Sequence, residues 1–126
     1  TTEFFTLAKE KLNPGGVVVV NVGHPEGSQE LEKVLSATLG EVFPHVARDP
    51  LEDVNTLLVA AEEEPTADNL RGAAETLPPD LRPIALQTAT QLAPPLRGGA
   101  VYTDDHAPVE WLIDASIVQE AAGGKD

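Results

Sequence analysis

The sequence predicts an α/β fold: a small mixed sheet of three strands followed by a helical C-terminal extension. Three observations lead there. Val17, Val18, Val19 and Val20 form an apolar run without polar alternation, as in a strand buried on both faces. Asn13, Pro14, Gly15 and Gly16 precede it, a turn that stops a helix and opens a strand. Two further apolar runs follow, one after a helical stretch and one after a short acidic loop. Strand, helix, strand is a crossover that makes the first two strands parallel, and the short return sets the third antiparallel.

Residues 2–12 read as a helix. Phe4, Phe5, Ala8 and Leu12 share a face, and Thr1 or Thr2 is placed to cap it. The first strand covers residues 17–22. Ser28 offers the next N-cap, with Gln29 and Glu30 in the first turn, where negative charge suits the helix dipole. Leu31, Val34, Leu35, Thr38 and Leu39 make the stripe of a second helix, which Gly40 closes. Residues 42–47 read as a second strand, with Pro44 marking it as an edge. Residues 48–54 read as a loop. Residues 55–62 form the third strand, centred on Leu57, Leu58 and Val59.

From Thr66 alanine and proline rise and strand patterns cease. Leu70, Ala73, Ala74 and Leu77 give one helix capped by Thr66. Ile84, Ala85, Thr88, Ala89 and Leu92 give another, begun near Pro83 and stopped by Pro94 and Pro95. Val109, Leu112, Ile113, Ser116 and Ile117 give the last, with Pro108 in its first turn and Gly123 and Gly124 after it. The expected division is residues 1–64 as an α/β unit and 65–126 as a helical extension packed on it.

The chain has 126 residues, which fits one domain. Its formal net charge of −13 makes nucleic acid and anionic membrane surfaces poor partners. Without cysteine there is no disulfide, thiolate metal site or cysteine nucleophile. No apolar run approaches the roughly 20 residues that span a bilayer, so no membrane contact by this chain is expected. The start at Thr1, without methionine and at the edge of a helical pattern, leads to the expectation of an excised piece of something longer.

Taken together, the stretch TTEFFTLAKEKLNPGGVVVVNVG, the Phe43-Pro44 pair and the Asn55-Thr56-Leu57-Leu58-Val59-Ala60 strand resemble the C-terminal half of a spermidine synthase. These polyamine aminopropyltransferases have the Rossmann-like fold of S-adenosylmethionine-dependent methyltransferases. The ending VYTDDHAPVEWL resembles bacterial members whose synthase domain is joined to membrane-spanning helices. The resemblance implies a spatial strand order of one, three, two. It implies a cytoplasmic chain, or the cytoplasmic domain of a membrane protein. It also implies transfer of an aminopropyl group from decarboxylated S-adenosylmethionine to a diamine, with a catalytic aspartate as base. The family's glycine-rich donor turn, the acidic residue ending its second strand and that aspartate have no counterpart in these residues. The expectation is a chain that is inactive alone and holds no cofactor or metal. A fragment of a methyltransferase and a noncatalytic α/β binding or self-assembly module are the alternatives.

Four residues are candidates for substrate contact, and none is expected to be catalytic. Asn21 ends the first strand where the family often has glutamine, and it offers the same kind of contact with a shorter reach. His24 follows it, in the loop of residues 21–27 where the carboxyl end of a strand faces the ligand crevice. Asp104 and Asp105, beside His106, form the densest polar cluster and suit a cation, although capping the last helix also accounts for acids there. The family's acceptor-side tyrosine has no match in residues 48–54, which contain no aromatic residue. His45 reads as exposed on its edge strand, and Trp111 as a packing residue. In the whole fold that the resemblance implies, a preceding strand pairs with residues 17–22. Without it the charge-free, proline-free run Val17, Val18, Val19, Val20 is unguarded, and a homodimer through residues 17–22 is expected, the alternative being that the helices after Thr66 fold over it.

Overall fold

A computed structural model describes residues 1–123. The chain runs α1 (Thr2–Glu10), β1 (Val17–Gly23), α2 (Glu30–Val42), β2 (His45–Glu52), β3 (Asn55–Ala61), α3 (Ala67–Ala74), α4 (Arg82–Gln91) and α5 (Val109–Gly123). The strands lie in the order β1-β3-β2, as expected. β3 is antiparallel to both neighbours, with Val19 opposite Val59 and Ala47 opposite that same residue from the other side. β1 and β2 therefore point the same way without touching, so both pairings among the described residues are antiparallel and the sheet is not the mixed one expected: β3 lies between the two parallel strands.

One face of the sheet carries Val18, Val20 and Val22 of β1, and Thr56, Leu58 and Ala60 of β3. α1 and α2 cover it, and the core forms between Phe5, Val22, Leu39, Phe43, Leu58 and Ala60. Thr1 caps α1 by accepting from the Phe4 N–H at 3.3 Å. Lys9 joins the two helices at their far end. Its Nζ donates to the Val42 carbonyl at 2.8 Å, pairs with Glu62 at 2.6 Å and stands over the Phe43 ring. The opposite face is covered only in part. α4 sets Thr88 and Ala89 against β2, while Val17 and Val19 of β1 remain 48% and 53% exposed. The expectation of burial on both faces of β1 fails for this reason.

The second strand is the main correction. α2 continues through Gly40 to Val42, Phe43 caps it, and Ser28 makes no side-chain cap. The supposed loop 48–54 is mostly strand, ending in a tight turn at Asp53 and Val54. β2 is an edge, as Pro44 had implied, but the proline in its ladder is Pro50, next to a register shift before Glu52. Thr66 caps α3 by accepting from Asn69 N–H at 3.1 Å, and Pro83 opens α4.

Residues 93–107 form a strap. Ala93 exchanges backbone hydrogen bonds with Arg48, at 2.8 and 2.9 Å. Gly99 lies so close to α2 that a Cβ there would overlap the Lys33 carbonyl. Tyr102 is buried. Its N–H donates to Thr38 Oγ1 at 3.0 Å, and its carbonyl accepts from Thr2 N–H at 2.9 Å. The strap leads into α5, which packs on α2. Trp111 is 71% exposed rather than packed. The side chain of Ser116 and all of Gly124 lie outside the described residues. Among the described residues no helix is long and apolar enough to cross a membrane.

Candidate functional site

A cavity of about 190 Å³ opens where β1 ends, between the start of α2 and the β2–β3 turn. Its position follows from the fold. β1 and β2 point the same way, so Gly23-His24 and Glu52-Asp53 emerge at one end of the sheet. The His24 N–H donates to the Val54 carbonyl at 3.0 Å, which ties the two loops together. Its polar lining includes His24, Glu32, Arg48, Glu52, Asp53 and Thr56.

Glu32 and Arg48 form its floor. Glu32 is fully buried on α2, and Arg48 reaches it from β2 through Nε at 2.5 Å and Nη2 at 3.2 Å. This two-pronged geometry is the strong form of a carboxylate–guanidinium pair. It cancels the charge at the floor, so the rim carboxylates of Glu52 and Asp53 set the sign of the mouth. The His24 ring is held at both nitrogens, Nδ1 3.1 Å from the Pro25 carbonyl and Nε2 3.5 Å from Thr56 Oγ1. A carbonyl only accepts, so Nδ1 donates to it, while Nε2 faces the Thr56 hydroxyl. The arrangement can hold an ammonium group at the rim and orient it against a histidine. Among the described residues no group of three or more metal-ligating side chains comes together.

The sequence candidates separate in space. His24 lines the mouth. Asn21 points to the opposite face of the sheet, opposite Leu57 and on the side of Val17 and Val19. Asp104 and Asp105 lie on the strap. Thr1 Oγ1 donates to Asp104 Oδ1 at 2.6 Å, and the Asp104 N–H donates to Glu3 at 2.9 Å. Glu3 is held below the usual carboxylate range by its own backbone N–H and then by that of Asp104. The cluster thus clasps the start of α1, not that of α5, and the His106 ring stands edge-on to Tyr102. His45 is half-buried, lining a second cavity of about 330 Å³ with Pro65, Thr66, Pro94 and Pro95. Sequence reasoning missed Glu32, Arg48 and Thr56. Glu32 lies one position off the apolar stripe of α2, and Arg48 stood in a presumed loop.

No family model matches the chain, and no solved structure matches it significantly. A curated protein does. The chain is similar to the "Probable polyamine aminopropyl transferase" of Bifidobacterium longum (strain NCC 2705). The two are 32% identical over an alignment 145 positions long, which takes in 96% of this chain. The chain spans about a third of that relative's length, 32%.

Proposed function

We propose that this chain supplies part of an aminopropyl transferase of polyamine metabolism, and that the mouth beside His24 serves its amine acceptor. The observation that carries this reading is the similarity to the Bifidobacterium protein across 96% of the chain. The span of 32% of that relative fits a part rather than a whole. The sheet order supports placing the chain in the C-terminal half of a methyltransferase-like, Rossmann-like fold. In the complete enzyme decarboxylated S-adenosylmethionine is the donor. The glycine-rich turn and the two acidic residues that would bind it and act on the amine have no counterpart in this sequence. The proposed location is cytoplasmic, or the cytoplasmic domain of a membrane protein, bacterial by the same resemblance.

Size and charge support the acceptor role. Sites for drug-sized ligands span about 300–1,000 Å³. A cavity of about 190 Å³ suits the end of an aminoalkyl chain, not a nucleoside. With Glu32 neutralised by Arg48, Glu52 and Asp53 favour an ammonium group at the rim. Calorimetry tests the reading. Titration of the chain with an S-adenosyl nucleoside is expected to give no saturable heat, and aminopropyl transfer by the chain alone is expected to be undetectable. A linear diamine is expected to bind weakly, and Glu52→Gln with Asp53→Asn to abolish that binding. Saturable nucleoside binding at micromolar affinity overturns the division of roles. A diamine isotherm unchanged in the double variant overturns the acceptor mouth. A noncatalytic, self-assembling module is the second reading, and the uncovered edge of β1 supports it.

A further inference from the structure

Glu32 and Asp49 are both buried carboxylates, and the fold treats them differently. Glu32 meets Arg48, whereas neither oxygen of Asp49 has a hydrogen-bond partner among the described residues. Asp49 lies on β2 beneath Thr88 of α4, in line with Leu57 of β3 and Asn21 of β1. No cation is placed to meet it. β1 and β3 carry no charged residue. On its own face of β2 the other titratable group is His45, four residues off, or about 13 Å along the strand. The charged residue of α4 is Arg82, which donates instead to the Leu77 and Glu75 carbonyls at the end of α3. α2 packs on the opposite face, where its Glu32 is already paired.

The cover over Asp49 is easily lifted. Ala89 is the only buried residue of α4, Ala85 and Thr88 are half-buried, and the larger Ile84 and Leu86 are exposed. α3 and α4 pack more on each other than α4 does on β2, so the two move naturally as a pair. The segments that join the pair to the sheet are residues 62–66 and Leu92, neither in regular structure. Both border the cavity of about 330 Å³ beside His45, which leaves them loosely packed. Beyond Leu92 the chain is fixed again, because Ala93 exchanges backbone hydrogen bonds with Arg48.

We propose that the α3–α4 hairpin is a flap that lifts from β2 about these two hinges, and that hydration of the Asp49 carboxylate drives it. An ionised carboxylate buried without a partner is costly. Lifting returns water to it and breaks only contacts of small side chains. A protonated carboxyl needs less hydration, so the flap stays down in acid. Burial holds the proton on Asp49 above the usual carboxylate range, and opening increases as pH rises through that raised value. The open state is a minor, sub-global one in which the sheet stays intact. It bares a carboxylate in line with the Asn21 amide, a polar surface that the closed state lacks. This inference does not rest on the proposed acceptor mouth, which lies on the other face of the sheet.

Thiol labelling is the test. The chain has no cysteine, so Ala89→Cys places a single thiol on the underside of the flap. At pH 8 that thiol is expected to react at a rate that low urea hardly changes, because lifting exposes far less surface than unfolding does. Adding Asp49→Asn is expected to slow the reaction at least tenfold at the same pH. Amide exchange gives a readout that needs no introduced thiol. Helices of eight and ten residues are marginal without packing. In the unsubstituted chain residues 67–91 are therefore expected to exchange faster at pH 8 than residues 55–61, and Asp49→Asn to narrow the difference. Labelling that accelerates with urea along the slope of global unfolding, labelling indifferent to Asp49→Asn, or equal exchange in the flap and in β3 each overturns the proposal.

Discussion

Replacing Asp49 by asparagine is expected to stabilise the fold, and to do so only above the acid range. Asp49 lies on β2 opposite Leu57, on the sheet face that α4 covers, and it is 0% exposed. Neither carboxylate oxygen has a hydrogen-bond partner among the described residues. Burial pushes its carboxyl above the usual range, and the nearby Thr88 hydroxyl only partly offsets this. The folded state thus holds its proton to higher pH than the unfolded chain does. The favourable contribution is fully present below the unfolded pKa of about 3.9 and is lost as pH rises through the raised folded value. Above that window an unpaired buried group costs about 1–3 kcal/mol, more when charged. Asparagine has nearly the same shape and cannot ionise. At pH 8 the variant is expected to gain about 1–3 kcal/mol over the parent, seen as a rise of about 4 °C in Tm per kcal/mol. At pH 3.5 the two should unfold at the same urea concentration. Equal stability at both pH values, or a weaker variant at pH 8, refutes the view of Asp49 as an unpaired buried carboxylate.

Arg48→Ala strands the buried Glu32 and is expected to cost about 3–5 kcal/mol in urea unfolding at pH 7. The pair Glu32→Leu with Arg48→Met removes both charges, and it should recover most of that loss or exceed the parent's stability. Gly99→Ala drives a methyl into the Lys33 backbone, which cannot swing aside as a side chain can. It is expected to cost about 1–3 kcal/mol and to speed amide exchange at Tyr102, whose N–H bonds to Thr38.

Legibility in the sequence followed how each residue's environment was decided. β1 and β3 could be read because β-branched and apolar residues concentrate there and glycine, proline or asparagine flank them. The caps Thr1 and Thr66 and the prolines at 83 and 108 placed helix starts within a residue or so. β2 could not be read. Arg48, Asp49 and Pro50 look like a loop, and they are strand because tertiary contacts absorb them: Glu32 takes Arg48, α4 buries Asp49, and the edge position excuses Pro50. Val42 and Phe43 have strand-like side chains but finish α2, whose packing outweighs their propensity. At the candidate site His24 was legible from its place after β1. Its companions were not, because they come from three elements, and only the fold brings them to one end of the sheet.

The strap also bears on the order in which the chain assembles. Thr1 and Asp104 are 103 residues apart, and Glu3 and Asp104 are 101 apart. Closing a loop of that length from a free chain costs on the order of 4 kcal/mol in entropy, beyond a constant. An exposed hydrogen bond returns about 0.5–1.5 kcal/mol. The clasp therefore closes only after α1, α2 and the sheet have shortened the effective loop. Thr38 presents its hydroxyl, and Lys33 its close-packed carbonyl, only once α2 is formed. Docking of residues 93–107 is then a late folding step, and its release the first step of unfolding. A protease site opened there would report partial opening while the valine strand and its neighbours stay intact.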